Sequence, residues 1–369
     1  TIPILATRGC PYQCTYCSSP NMWTPRWIPR DPIMVVDEIQ HYVDVHGATN
    51  FPFQDLTAIL HKDWIKAFCE EILNRGLKIT WQLPTGTRSE AIDKDVARLL
   101  KSTGLATMSY APESGSEHTR KLIKKRMKTE NLMASVQAAI ASELNVALFI
   151  VIGFPHDEPE HLEQNFEFLR HIRRLGVQDM AIGYYMALPG TEIFNSLYDA
   201  GKITLDQDYF GHILQGLALW PATSYNPAMP RWELVKWKFR LYLAFYSEKC
   251  GPKGEGGLTS NIFRALTGVF SKKHDSRLQT AFKNGLISIW DSVVVRFVPY
   301  WIPMAEERAM FATWDKTFRQ IRHQLLDGKI IAPAPADTAD IHRENVISKL
   351  RTLHDTKRSM KIESTATVS

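Results

Sequence analysis

The chain of 369 residues has few cysteines, no unbroken hydrophobic stretch of membrane-spanning length and no strong excess of either charge. Five cysteines without regular pairing exclude a secreted disulfide framework, which predicts a reducing, cytoplasmic compartment. The uncharged stretch 209–230 is interrupted by three prolines, and no leader pattern is visible. Forty-four Lys and Arg against 39 Asp and Glu give a net charge of +5, too small to predict a nucleic-acid partner.

Three of the five cysteines lie close together, Cys10, Cys14 and Cys17, with the spacing C-x3-C-x2-C. Thiolates are soft ligands suited to iron–sulfur clusters, zinc or Cu(I). A cubane cluster has four irons, so three cysteines leave one iron open to a substrate or cofactor, whereas a structural site requires a fourth protein ligand. A zinc knuckle, disulfides and buried thiols are the structural alternatives. Cys69 and Cys250 stand far apart and cannot supply a second all-cysteine cluster.

Strand-like runs alternate with helical patterns six times between residue 1 and about residue 200. The predicted strands are 2–6, 49–53, 78–82, 106–110, 146–152 and 179–186. Asp31 followed by Pro32 predicts the beginning of a helix. Repeated strand–helix units predict a parallel sheet with right-handed crossovers, and six units fit a partial (β/α)6 barrel of TIM-like type.

Polar residues cluster directly after each predicted strand. The clusters are the cysteine loop, Gln54 and Asp55, 84–88, Glu113 and Ser114, 153–155, and 188–191. In parallel barrels the carboxyl ends of the strands form the active face. Six separate segments are therefore expected to surround one site.

The cysteine spacing, with Tyr16 immediately before the third cysteine, resembles the signature of the radical S-adenosylmethionine (radical SAM) superfamily. The resemblance implies a partial radical SAM barrel in which Cys10, Cys14 and Cys17 hold a [4Fe–4S] cluster. It also implies that S-adenosylmethionine occupies the open iron and that a one-electron donor, such as flavodoxin or ferredoxin, starts its cleavage to a 5′-deoxyadenosyl radical. Tyr16 is expected near the adenine, or else packed beneath the loop.

Later segments resemble the cofactor-binding motifs of the same family. Asp55 occupies the place where the family binds the methionine amino group, with a helix N-cap as the alternative. Glu113 and Ser114, in Ala-Pro-Glu-Ser-Gly, resemble the Gly-x-Glu-Ser-Gly segment that contacts ribose and methionine, with helix capping as the alternative for the serine. Ile152 and Gly153 resemble the fifth-strand segment that reads the adenine, with a plain strand end as the alternative.

Two further basic features of the sequence are Arg88 and the segment 120–128. Arg88 and Asp93 match the family's A-R-x-x-x-I-D region. Arg88 is a candidate to clamp a carboxylate of the cofactor or substrate, with a structural ion pair as the alternative. The segment 120–128 is the most basic stretch of the chain, and we interpret it as a solvated helix face.

These motifs resemble the branch of the superfamily that is often fused to an N-terminal cobalamin-binding domain. That branch includes methyltransferases and an oxidative-ring cyclase of chlorophyll synthesis. The resemblance implies radical chemistry on a small or lipid-like metabolite, with cobalamin-dependent methyl transfer or ring formation as the leading form. Because the sequence starts with Thr1 and a strand starts at once, we expect a fragment or processed product whose cobalamin-binding N-terminal domain is missing.

Two alternatives are kept, a tRNA-modifying methylthiotransferase and an iron–sulfur electron-transfer protein without radical chemistry. The core barrel is predicted for 1–200, a mainly α-helical region of unknown role for 201–330, and a Pro/Ala-rich linker with a polar, disordered tail for 331–369. The apolar, aromatic stretch 286–304 is interpreted as packing between helices, with peripheral membrane contact as the alternative.

Overall fold

The computed structural model describes residues 1–214, 223–251 and 305–328. Two short strands, β1 (Thr7–Arg8) and β2 (Ile28–Pro29), form an antiparallel pair. Five strands form a parallel sheet in their chain order. They are β3 (Asn50–Pro52), β4 (Thr80–Thr87), β5 (Leu105–Glu113), β6 (Asn145–Ile152) and β7 (Asp179–Tyr184). Neighbouring strands are consecutive in the chain and joined by helices, as in a barrel that stops half-way round.

Helices connect and flank the strands of this half-barrel. They are α1 (Ser19–Met22), α2 (Pro32–His46), α3 (Lys62–Asn74), α4 (Lys94–Ser102), α5 (Glu117–Leu122), α6 (Thr129–Ala141), α7 (Pro159–Leu175), α8 (Glu192–Asp199), α9 (Gln207–Leu214) and α10 (Arg231–Ser247). A further helix spans Ala305–Leu326. None of the described helices is both long and apolar enough to cross a membrane.

The core lies between the sheet and the helices. Phe53 of the β3 end, Phe68 of α3 and Trp81 of β4 meet with ring centroids 5.2 to 5.5 Å apart, and all three are buried. Aromatic groups of this size bury large apolar areas and dominate core energetics. They fix α3 against the first strands of the sheet.

The predicted parallel α/β half-barrel is confirmed, but its first predicted strand, 2–6, is reduced to one parallel bridge between Ile4 and Phe53. The reason is that the next two backbone N–H groups form hydrogen bonds outside the sheet. The N–H groups of Ala6 and Thr7 point to the carboxylate of Asp55 instead of to a neighbouring strand. The chain therefore leaves the sheet early and turns into the cysteine loop.

The sequence prediction of a helix beginning at Asp31 is also confirmed. The Asp31 carboxylate accepts hydrogen bonds from the N–H groups of Ile33 at 2.8 Å and Met34 at 3.3 Å, and Pro32 occupies the first helical position. At the other end, Gly47 adopts a φ of 59°, the left-handed conformation that commonly ends helices. Both ends of α2 are thus set by local sequence.

In the C-terminal region the structure describes α9, α10 and the helix Ala305–Leu326. Helix α10 packs against α7 and buries Leu234, Trp237, Leu241 and Phe245. The predicted domain boundaries stay a prediction. The aromatic stretch 286–304 and the linker and tail 331–369 lie outside the described residues.

We expect replacement of Asp31 by Ala to lower the free energy of unfolding by about 1 kcal/mol, because two donors in the first turn of α2 lose their partner. Asp44→Ala, in the last turn of the same helix, is the matched control and should be nearly neutral. Urea unfolding of both variants measures the difference. Equal destabilisation by the two changes would show that the cap does not hold the helix.

Candidate functional site

The three clustered cysteines lie on a loop between β1 and α1, and each thiol is free and partly exposed. The loop begins at Gly9, whose φ is 73°, and a Cβ there would lie 2.1 Å from the carbonyl oxygen of Arg26. Only glycine fits this approach. The N–H of Cys17 donates to the carbonyl of Cys14 at 3.1 Å, which closes the second half of the loop into a turn.

Asp55, just after the end of β3, holds the beginning of the cysteine loop through hydrogen bonds. Its carboxylate is fully buried and accepts the N–H of Ala6 at 3.3 Å and the N–H of Thr7. Burial raises the pKa of Asp55. The residue caps no helix, since α3 begins after His61. Contact of Asp55 with a methionine amino group stays a prediction.

Thr57 contacts the first cysteine of the same loop. Its hydroxyl donates to Cys10 Sγ at 3.4 Å, and its carbonyl accepts the hydroxyl of Thr7 at 3.1 Å and the indole N–H of Trp27 at 2.8 Å. The position of Cys10 therefore follows from the end of β3. Nothing in the sequence pattern around Thr57 indicated this role.

Tyr16, Glu113 and Lys125 form a nearly buried cluster beside the cysteine loop. The Tyr16 hydroxyl donates to Glu113 Oε1 at 2.9 Å, and Lys125 Nζ lies 3.1 Å from the same oxygen. The side chains of the ion pair are only 11% and 10% exposed. Burial, followed by the charge of Glu113, raises the pKa of Tyr16 well above its ordinary value. Cys14 also lies in the field of Lys125 and Glu113.

Glu113 is the last residue of β5 and has a φ of 66°. A non-glycine residue in this left-handed region is uncommon and costs conformational energy, and such strain concentrates at functional sites. The strained backbone turns the carboxylate toward Tyr16 and Lys125. Two sequence-predicted site residues, Tyr16 and Glu113, are thus in direct contact.

Ser114 is buried in the turn after β5. Its hydroxyl donates to Asn165 Oδ1 at 3.0 Å and accepts the N–H of Ser116 at 3.1 Å. The N-cap of α5 is Ser116, whose hydroxyl accepts the N–H of Thr119. Ser114 therefore ties its turn to α7 and does not cap the helix itself.

Ile152 and Gly153 end β6 beneath α10. Gly153 has a φ of 85°, and a Cβ there would lie 2.9 Å from Leu234 Cδ1. Next to them, Asp157 accepts the N–H groups of Gly153 and Phe154, both at 3.0 Å, and the hydroxyl of Thr119 at 3.2 Å. Burial raises the pKa of Asp157 to about 6. Sequence analysis missed Asp157, although an aspartate four residues after a strand-ending glycine is a turn signal.

A ring contact connects this strand end to the cysteine loop. Tyr16 meets Phe154 edge-on with centroids 5.6 Å apart, and Phe154 lies 5.2 Å from Tyr185 at the end of β7. Tyr16 thus packs beneath the loop as the structural alternative predicts. Its place near an adenine stays a prediction.

The segment 120–128 differs from the expected solvated helix face. Helix α5 ends at Leu122, Arg120 is only 2% exposed, and Lys125 turns inward to Glu113. Arg88 forms the structural ion pair named above as one alternative. Its guanidinium pairs with Glu90 at 2.8 Å and lies 3.8 Å above the ring of Tyr12 in the cysteine loop.

The donor set fits an iron–sulfur cluster. Three soft, partly exposed thiols lie on one loop that is anchored from the ends of β3 and β5, with a lysine close by. Among the described residues, no three Cys, His, Asp or Glu side chains converge as ligands of a single metal ion. A cubane does not require such convergence, because each of its thiolates binds a different iron.

The sequence profile of the Radical SAM superfamily matches residues 4–169, the segment that carries the cysteine loop, Asp55 and Glu113. Residues 4–169 of this chain therefore belong to the radical SAM superfamily. Members of this superfamily use a [4Fe–4S] cluster and S-adenosylmethionine.

Two curated relatives illustrate the similarity. The anaerobic magnesium-protoporphyrin IX monomethyl ester cyclase of Rubrivivax gelatinosus is 27% identical over 197 residues, which are 53% of this chain and 35% of that protein. The cytidylyl-2-hydroxyethylphosphonate methyltransferase of Streptomyces wedmorensis is 28% identical over 153 residues, 41% of this chain and 28% of that protein. The chain thus spans only about a third of the length of these relatives.

Among solved structures, the cobalamin-dependent S-adenosylmethionine radical enzyme OxsB matches with a TM-score of 0.50 and 14% identity, over 89% of this chain and 55% of that one. At this identity the likeness shows the fold. It agrees with the parallel half-barrel and helical C-terminal region of the radical SAM chain.

The raised pKa of Asp157 predicts a pH-dependent stability. Because its folded pKa of about 6 lies above the ordinary 3.8, the folded state binds this proton more tightly than the unfolded chain does. The resulting stabilisation is present below about pH 4 and is lost as the pH rises through 6. Between about pH 4 and pH 7, wild type should lose up to about 3 kcal/mol relative to Asp157→Asn, measured by urea unfolding.

Asp95→Asn is the matched control, because the Asp95 side chain is 84% exposed. That variant should follow the pH dependence of wild type. If Asp157→Asn also runs parallel to wild type, the carboxyl does not titrate as its burial indicates.

Proposed function

We propose that this chain is the catalytic core of a radical SAM enzyme that reductively cleaves S-adenosylmethionine to start radical chemistry on a substrate. The observation that carries the proposal is the loop with three free, partly exposed thiols at the carboxyl edge of the sheet, inside the segment that matches the superfamily. Cys10, Cys14 and Cys17 are the residues that would hold the [4Fe–4S] cluster. When bound, the cluster supplies the electron that cleaves the sulfonium.

The chain's own side chains position the cofactor. Asp55 and Thr57 hold the base of the cysteine loop, so the thiols are fixed before any ligand arrives. Lys125 and Tyr16 hold the carboxylate of Glu113 at the edge of the loop, where it is a natural acceptor for ribose hydroxyls. Ser114, Ile152 and Gly153 line the ends of β5 and β6 where the remainder of the nucleoside would lie. This pre-arrangement lowers the entropic cost of orienting the reacting groups.

We assign the substrate to the class of small or lipid-like metabolites, with cobalamin-dependent methyl transfer or ring formation as the reaction. The support is the function of the relatives, which include a methyltransferase and a cyclase. Cobalamin would be bound outside the half-barrel. A tRNA-modifying methylthiotransferase and an iron–sulfur electron-transfer protein are the competing functions. The latter requires a fourth protein ligand to the cluster, so that no iron is left open to S-adenosylmethionine.

Anaerobic reconstitution tests the cysteine assignment. We expect about four irons and four sulfides per chain. A variant in which Cys10, Cys14 and Cys17 are all replaced by Ala should lose the cluster's visible absorbance. Cys250→Ser, which removes another partly exposed thiol, is the control and should keep the full iron content. A triple variant that still binds a complete cluster would refute the assignment.

Binding of S-adenosylmethionine separates the radical enzyme from the electron-transfer protein. The cofactor should change the EPR spectrum of the reduced cluster, because it ligates an iron that no cysteine occupies. Glu113→Gln should weaken this effect about tenfold or more while iron content is unchanged, since the ribose loses a charged acceptor. Glu117→Gln, at an exposed carboxylate, is the control. An unchanged wild-type spectrum at saturating cofactor would favour the electron-transfer protein.

A further inference from the structure

An open cleft of 810 Å³ lies between the Glu90 turn and the segment 117–131, and we refer to it as the basic cleft. Six cationic side chains and two carboxylates line it, an excess of four positive charges. The whole chain carries a net charge of +5. The positive charge of this protein is therefore concentrated around one concave surface.

Three of these cations are not used by the fold. Lys121, Arg126 and Lys128 are exposed, and within the described part of the chain their side chains form neither an ion pair nor a hydrogen bond. By contrast, Arg120 pairs with Glu117 at 3.3 Å, Lys124 with Glu192 at 2.6 Å and Lys125 with Glu113 at 3.1 Å. Below the three free cations, the buried guanidinium of Arg120 has an Nε with no hydrogen-bond partner.

The basic cleft adjoins the cysteine loop. The carbonyl oxygen of Lys124 accepts a hydrogen bond from Cys14 Sγ at 3.9 Å, and the carbonyl of Ile123 accepts the N–H of Thr15 at 3.1 Å. The same short segment thus contacts the cysteine loop and carries the free cations. A molecule bound over these cations would be separated from Cys14 only by the segment that contains Lys124.

We propose that the basic cleft docks an acidic one-electron donor protein of the flavodoxin or ferredoxin kind. This rests on the proposed function, because each cleavage of S-adenosylmethionine consumes one electron. The donor is oxidised by one electron, and that electron reduces the sulfonium as its C–S bond breaks to methionine and the 5′-deoxyadenosyl radical. A local excess of positive charge steers an acidic partner toward the cleft and fixes its orientation. Because Lys124 of the cleft contacts Cys14, a partner bound there would lie near the cluster that Cys14 would hold.

The exposure of the free cations favours a protein over a small anion. A site built for a phosphate or carboxylate places its cations around an enclosed, largely desolvated ligand. Lys121, Arg126 and Lys128 instead project into solvent along an open surface. Such exposed charges mainly raise the rate at which two proteins associate, and they make that rate depend on salt.

The test is the affinity of the full chain for reduced and oxidised flavodoxin, measured by surface plasmon resonance between 50 and 300 mM NaCl. Wild type should bind more weakly as salt rises, because the contact is screened. The variant Lys121→Glu/Arg126→Glu/Lys128→Glu should bind at least about tenfold more weakly at low salt and lose most of the salt dependence. Lys66→Glu/Lys78→Glu/Lys202→Glu, three exposed lysines elsewhere, is the charge-matched control and should bind as wild type does.

A second arm separates this inference from the proposed function. With dithionite as the reductant, both triple variants should cleave S-adenosylmethionine at the wild-type rate, whereas with flavodoxin only the basic-cleft variant should slow down. Absence of cleavage by wild type with dithionite would refute the proposed function, while the binding measurement still decides the docking surface. Unchanged flavodoxin affinity in the basic-cleft variant would overturn the docking surface. The docking surface would also be overturned if the basic-cleft variant lost binding of inorganic pyrophosphate but kept its affinity for flavodoxin. The cleft would then be a small-anion site.

Discussion

The carboxylate of Asp55 accepts two backbone N–H groups at the point where the chain leaves the sheet, and the geometry of the cysteine loop depends on this contact. Without it, the N–H groups of Ala6 and Thr7 would lie buried and unpaired, or would extend the first strand along β3. Unpaired buried donors cost about 1–3 kcal/mol each. The buried carboxylate removes that cost and ends the strand, so the loop begins at a defined residue. Gly9 and Thr57 then fix its direction and the position of Cys10.

The remaining supports of the loop come from elements far along the chain. Tyr16 bonds to Glu113 at the end of β5, and Tyr12 lies under Arg88 after β4. Each support uses a residue at the end of a parallel strand or directly after it, where the carboxyl ends converge. A half-barrel suffices for this arrangement, because the site needs only one edge of the sheet.

The sequence alone predicted the alternation of strands and helices, because buried parallel strands are short apolar runs between amphipathic helices. It also predicted the beginning of α2, since Asp31 and Pro32 act locally. It did not predict the loss of the first strand, which depends on Asp55 some fifty residues later. The inward turn of Lys125 was equally hidden, because a lysine in a run of six basic residues carries no local sign of its partner. Asp157 was missed for the same reason, as one partner of its carboxylate, Thr119 of α5, lies far away in the chain.

One backbone hydrogen bond belongs neither to the strand pairing nor to the cofactor motifs. It affects the order in which the protein can fold during translation. The carbonyl of Thr15, in the middle of the cysteine loop, accepts the N–H of Ile193 at the beginning of α8 at 3.1 Å. The cysteines leave the ribosome well before Ile193, so this backbone anchor is made more than 170 residues later. During translation the thiols are therefore held by only part of their final framework. Insertion of a cluster into a fully shaped loop must wait until the sixth strand–helix unit has been synthesised.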